Sequence, residues 1–446
     1  MLGTIILREM QEYIKSKLFL IGFLSIIILV VVSTYVNIED FTRRDREYLD
    51  AGRELRFTGY EVRLGKTPQV LGILVQGKER KLGVIASVTT RKVPTVTTGY
   101  LGGKRDRRVE YGSRYSAVDF AFLVRVFMSL MVIFLAFGAV AGEKEKGTLR
   151  LVLSNAVPRH ILLMGKALGG MAMISLSLFI ALLLSLLMIE IHPAVSVHSI
   201  DIVRIAAIYG VSLLYLAVFL AAGICVSVAV NRRSAALLVL VQLWFLMVII
   251  YPNIGVILTR KLVPIPTREQ WMESRKEAAR PFEAARMKAM EALESGVPAE
   301  KQLDKWQRYL KIEQVQIESR YAVDRAYVNR QRAQAERAGM ITILSPAVAY
   351  DAAVQRIART GMDEHERFLD AVFRYWNRYL PTEKELEFLK MAREGTLLGY
   401  LPEFRYPAAP ISVDMQAILP AVLLLALTGG AAWSLAYVMF LRKDVR

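Results

Sequence analysis

The sequence predicts a mainly α membrane protein: six transmembrane helices with an N-terminal amphipathic elbow helix, a small β-containing outer loop domain and a larger helical outer domain. Three observations predict it. The 446 residues are 54% apolar and 22% charged, with a mean hydropathy of +0.34. That is too apolar for an ordinary soluble enzyme and too charged for a chain that only crosses a membrane. Six stretches are apolar over the about 20 residues that a helix needs to cross the roughly 30 Å hydrocarbon layer. Lysine and arginine recur in every other short connection, the pattern of a multi-pass chain.

The spans fall near 18–36, 118–141, 161–191, 203–230, 235–259 and 413–441. The first, LFLIGFLSIIILVVVSTYV, is free of charge. It follows a 17-residue segment and precedes no small-x-small cleavage site, so it reads as an uncleaved anchor behind an elbow helix at 1–17. Arg8, Lys15 and Lys17 precede span one; Lys144, Lys146, Arg150, Arg159 and Lys166 lie between spans two and three; Arg232 and Arg233 join spans four and five; Arg442, Lys443 and Arg446 follow span six. With six spans these four regions share one side, and the 192–202 connection opposite carries neither Lys nor Arg. Both termini, including the tail at 442–446, are therefore expected in the cytoplasm, in a cell membrane. The formal charge of +17 then reflects topology and lipid headgroups, and no nucleic-acid partner is expected.

Two long connections differ in character. Residues 37–117 contain β-type runs, VLGILV at 70–75 and VIASVTT at 84–90, separated by Gly, Pro and charge. Residues 260–412 form the second outer domain; within it, 268–397 read as helices rich in Glu, Lys, Arg, Ala and Gln. The clearest helix runs from Pro298 to Arg337, with Trp306, Leu310, Val315 or Ile317, and Tyr321 along one edge, and two long helices packed as a hairpin are expected. The single cysteine, Cys225, excludes a disulfide framework.

Enzymatic motifs are missing. The chain has no HExxH, no CxxC and no GxSxG. His160, His192, His198 and His365 are scattered; His192 and His198 share a loop but lack a third ligand, so no metal is expected. Gly59–Thr67, GYEVRLGKT, approaches a phosphate-binding loop but has five residues before Gly-Lys where four are required, and it lies on the outer side. No cofactor is expected on the chain itself. The basic stretch 101–115 reads as a solvated loop beside headgroups, with an anionic lipid or substrate as the alternative.

The most informative stretch is FLAFGAVAGEKEKGTLRLVLSNAVPRHILLMGKALGG, 134–170. An apolar helix emerges into a charged turn at Gly142–Gly147. A short amphipathic segment with Leu149, Leu151, Val152 and Leu153 follows, ended by Pro158. Lying at the inner surface between two spans (142–160), such a segment is suited to act as a lever; a plain interfacial anchor is the alternative. The succession Glu143, Glu145, Gly147, Thr148 and Leu149, then Leu151 and Leu153, Ser154, Pro158 and Arg159, then Gly165 and Lys166 resembles the permease subunits of ABC-2 type ABC transporters. The N-terminal ILREMQEYIKSKLFLIGF and the terminal MFLRKDVR are similar too, and the long outer loops resemble the subgroup associated with multicopper-enzyme maturation.

That resemblance implies a subunit without an ATP site of its own, working with a separate ATPase subunit that uses the ATP, and with a second permease copy as a homodimer or heterodimer. It makes Glu143, Glu145, Gly147, Thr148, Leu149, Leu153 and Arg159 the ATPase-coupling residues, with the leucines filling an apolar pocket, and export the expected direction. Arg125 and Gln242, polar groups inside apolar spans, are candidates for a translocation path. Arg125 could instead snorkel to the outer interface with Asp119 nearby. A membrane-anchored receptor or scaffold, binding a partner through the helical ectodomain, is the alternative function; it leaves 143–159 unexplained. An intramembrane enzyme is the third, and finds few reactive groups in the spans.

Overall fold

The computed structural model describes residues 2–53, 61–79, 84–89, 92–97, 118–149, 151, 158–294, 299–379, 404–407 and 409–442. Among these, six helices are long and apolar enough to span a membrane: Lys17–Arg46, Phe120–Glu145, Arg159–Ile191, Ser199–Ala229, Arg233–Leu262 and Ile411–Arg442. The protein is a mainly α, multi-pass membrane protein.

Helix α1 (Leu2–Lys15) is the elbow. It packs across the start of the third span, and Ser16 separates it from α2 (Lys17–Arg53). On α2 the residues Phe19, Ile26, Val30, Asn37 and Phe41 are buried, a helical-period stripe facing the bundle. Leu18, Ile21, Leu24 and Ile28 are exposed, as a lipid-facing side requires. The helix runs on past 36 to Arg53; there Asn37 Nδ2 donates to the Ile73 carbonyl at 3.1 Å, and Thr42 Oγ1 donates back to that of Ile38 at 2.9 Å.

Strands β1 (Glu61–Gly65), β2 (Ile85–Thr89) and β3 (Lys92–Thr97) form one antiparallel sheet in the order β1-β2-β3. The run at 70–75 is no strand. Val70–Ile73 is a 3₁₀ turn, and Leu71, Ile73, Leu74 and Val75 are buried. A run apolar on every side, behind Pro68, suits a plug in the core better than a half-exposed strand. Gly77 adopts φ +53° beside Thr360, where a Cβ would stand 2.5 Å from the Thr360 carbonyl oxygen; only glycine fits there without strain. Lys66, from the phosphate-loop look-alike, is buried and faces Glu79 at 3.3 Å. The 101–115 stretch and the tail beyond Arg442 lie outside the described residues.

The second span, α3, comprises Phe120–Leu123, a π-turn at Val124–Met128 and Ser129–Ala136. After a turn, α4 (Ala141–Glu145) follows. The third and fourth spans are α5 (Arg159–Ile191) and α6 (Ser199–Ala229). The fifth, α7, comprises Arg233–Trp244, a π-turn at Phe245–Ile250 and Tyr251–Leu262. Pro252 sits at the first turn of its last segment, where its missing N–H is tolerated.

Helices α8 (Arg268–Glu294) and α9 (Ala299–Thr342) form the expected hairpin. Trp271 stacks on Tyr327 at 5.3 Å, and its Nε1 donates to Asp324 at 3.0 Å. At 1.5 Å per residue the 44 residues of α9 reach about 66 Å. The side chains of Trp306, Leu310, Ile317 and Tyr321 lie outside the described residues, while Val315 is exposed. The second long connection also contributes to the bundle itself. Helix α10 (Pro346–Ile357) returns among the spans, with Ala347, Tyr350, Ala353 and Val354 buried. Tyr350 stacks on Tyr215 of α6 at 4.6 Å, and Ser345 Oγ donates to the Met247 carbonyl of α7 at 2.7 Å. Ala, Val and Tyr at helical spacing form an apolar helix too short to cross the bilayer, and it plugs the bundle instead. Helix α11 (Met362–Tyr379) and the sixth span, α12 (Ile411–Arg442), complete the fold.

Candidate functional site

The charged turn after the second span knots four helices together on the side that carries both termini. The helical hydrogen bonding is interrupted at Phe137–Val140, where the N–H groups of Val140 and Ala141 both donate to Ser227 Oγ, at 3.0 and 2.9 Å, and that hydroxyl donates to the Phe137 carbonyl at 2.9 Å. One serine of α6 thus serves the groups that the helix end leaves unpaired. The next three side chains each go to a different helix. Lys144 Nζ donates to the carbonyls of Val228 and Val230 at the end of α6, where a cation suits the helix dipole. Glu145 Oε2 accepts the Arg233 N–H at the start of α7, at 2.9 Å, the matching anion at an N-terminus.

Glu143 meets Lys166 of α5 at 2.8 Å, and the same ammonium meets Glu9 of the elbow at 2.6 Å. Lys166 is 4% exposed. A buried cation persists only with such partners. The elbow can lie this close because Gly165 and Gly169 leave room: a Cβ on Gly165 would come within 2.5 Å of Ile5 Cγ2, and one on Gly169 within 2.8 Å of Glu9 Cβ. Burial, with Glu9 and Glu12 close by, holds the Tyr13 phenol well above its ordinary range, so it stays protonated.

Downstream, Gly147 turns the chain at φ +71°, and Thr148 Oγ1 donates to the Glu143 carbonyl at 3.4 Å. Leu149 is 3% exposed, packed in the chain's own core, whereas Leu151 is 67% exposed. This changes the expectation for the leucines. Leu149 seats the turn, because its apolar side chain is already covered within the chain, and Leu151 is the one presented outward. Leu153 lies outside the described residues. Arg159 Nη1 donates to the Leu441 carbonyl, tying the start of α5 to the end of α12 at 3.2 Å.

Arg125 and Gln242 are not brought together. Arg125 pairs with Asp351 of α10 and lies 5.4 Å from the Phe122 ring. Asp119, expected to help it, instead caps α3, accepting the Phe122 and Gln76 N–H groups at 2.6 and 2.7 Å. Burial lifts the Asp351 carboxyl to about 6, against the lowering pull of Arg125. Gln242 is exposed on the surface of α7. Among the described residues no group of three side chains able to hold a metal forms, and His198 caps α6 in a reciprocal arrangement with Asp201.

A family model described as ABC-2 family transporter protein matches residues 3–445. The chain belongs to the ABC-2 transporter family. It is also 32% identical over 134 residues to the probable ABC transporter permease protein NosY of Pseudomonas aeruginosa, a match covering 29% of this chain and 47% of that one. This ABC-2 chain thus spans about half the length of that curated relative. Sequence reasoning on this family member named Glu143 and Glu145 but did not assign Glu9, Ser227, Arg233 or Asp351 to a site. Glu9 carried a signal, an acid between apolar positions on an amphipathic elbow; Ser227 carried none, since small polar residues are ordinary in spans.

Proposed function

We propose that this chain is the permease subunit that couples ATP hydrolysis by a separate ATPase subunit to substrate export. Two permease copies work with two ATPases, and both termini lie in the cytoplasm. The observation that carries this reading is the knot itself. Glu143, Lys144 and Glu145 each hold a different helix, so a force applied at the turn reaches α1, α5, α6 and α7 together. Leu151, exposed beside the seated Leu149, is the apolar contact for an ATPase cleft. Rigid levers of this kind move a bundle between two packed arrangements when a partner binds one arrangement more tightly. The chain contributes no nucleotide chemistry; the ATPase supplies it.

Leu151→Asp tests the reading. A leucine fully buried at a contact contributes roughly 1.5–3 kcal/mol, so co-purification with the ATPase is expected to weaken by about ten- to a hundredfold. Membrane insertion and thermal stability of the permease stay at parental values. Parental ATPase capture by a normally inserted Leu151→Asp chain would remove the turn from the coupling interface.

A further inference from the structure

Between the elbow, the first two spans and the charged turn lies a cavity of about 570 Å³, within the roughly 300–1,000 Å³ of small-molecule sites. Its two ends differ in chemistry. Toward the bilayer the walls are Phe19 and Ile26 of α2 and Phe127, Leu130 and Phe134 of α3, at helical spacing on adjoining helices. Gly22 and Ser25 leave the α2 wall shallow; a Cβ on Gly22 would meet only Met131, at 3.8 Å. At the mouth the lining holds four cations and three carboxylates. Lys166 answers Glu9 and Glu143, and Arg8 answers Glu12 at 3.3 Å. The other two cations are Lys146 and Arg233, whose guanidinium lies 5.2 Å from the Phe137 ring. Neither side chain is in a salt bridge among the described residues, although Glu145 accepts the Arg233 backbone N–H at 2.9 Å.

We propose that this cavity holds one anionic phospholipid, its phosphate between Lys146 and Arg233 and an acyl chain between the first and second spans. A free anion would leave the aromatic walls in contact with water. A purely apolar ligand would make no use of the two cations, which are exposed at the mouth, and a zwitterionic headgroup carries its own cation there. An amphipathic elbow lies at headgroup depth, where basic pockets between helices receive acidic headgroups. Leu18 and Ile21, on the rim, are 53% and 67% exposed, so the cavity is open to the lipid side. The proposal does not depend on the ATPase partner.

The test is native mass spectrometry of the full chain in mild detergent, titrated with phosphatidylglycerol or phosphatidylcholine. One phosphatidylglycerol per chain is expected, held at least tenfold more tightly than phosphatidylcholine. Lys146→Gln with Arg233→Gln should weaken it by roughly thirtyfold, from about 1 kcal/mol for each basic residue at a membrane surface. Gly22→Leu keeps both cations and fills the cavity, so retention should be lost; Ser25→Phe repeats that on the exposed wall should Gly22→Leu not fold. Arg442→Gln, on the same side but outside the cavity, should change nothing. Equal loss in Arg442→Gln and the double variant, undiminished binding in a folded cavity-filled variant, or displacement by millimolar inorganic phosphate would each overturn the proposal.

Discussion

Two buried charge clusters hold the two ends of the bundle, and they are built differently. On the side of the termini, one lysine, Lys166, stands between Glu9 and Glu143. On the opposite side three arginines share two acids. Arg204 meets Asp414 at 3.0 Å and donates to the Ile357 carbonyl at 2.6 Å; Arg367 bridges Asp414 and Glu364 at 3.2 and 3.0 Å; Arg359 meets Glu364 at 2.9 Å. An ammonium is a compact charge on a flexible stem, whereas a guanidinium fixes several partners in one plane. The lysine cluster can tilt without losing its pairing, which suits a lever. The arginine cluster locks α6, α10, α11 and α12 in one geometry, which suits a fixed frame around the plug.

The largest effect is expected where that frame loses its shared acid. Asp414→Ala leaves Arg204 buried and Arg367 half-answered, and removing one partner of a buried pair costs about 3–5 kcal/mol. The thermal transition of the purified chain should fall sharply, with poor yield from membranes. Lys166→Met should cost somewhat less, because Glu143 is partly exposed and can be reached by water. Combining it with Glu9→Gln should recover part of the loss, since the lone buried carboxylate is then gone; a double variant no more stable than Lys166→Met would show that the two groups do not interact.

Smaller still is Ser227→Ala, which strips the acceptor from two backbone N–H groups and should cost about 1–3 kcal/mol. Its useful readout is hydrogen exchange at Val140 and Ala141, which should quicken while α10 stays protected. Stability should also depend on pH. Asp351 titrates above its ordinary range in the folded chain, so the folded state binds its proton more tightly than the unfolded state does. Its contribution to stability therefore falls as pH rises from about 4 to 6 and is level above that. Asp351→Asn should flatten this part of the stability profile, measured by thermal melting across that range. An unchanged slope would mean that Asp351 is not the titrating group.

The sequence by itself determined the elements whose partners are close along the chain or whose partner is the membrane. Six apolar runs must become helices, because a lone backbone in hydrocarbon has to satisfy its own polar groups. The hairpin α8–α9 follows from polar helical runs on either side of Gly296-Val297-Pro298. The Glu143–Glu145 turn stood out because its charges are packed into a few residues at a span end. Only the tertiary structure decided which charge answers which. Arg125 and Asp351 are 226 residues apart, and nothing local in either segment points to the other. The return of α10 into the bundle was hidden for the same reason: twelve residues, rich in Ala and Val with Asp351, Gln355 and Arg356 among them, suit an outer domain as well as a plug. Likewise 70–75 reads as a β-type run until its neighbours are known. Leu149 and Leu151 look alike in sequence, and the structure separates them, because a position two residues on along a helix faces another side.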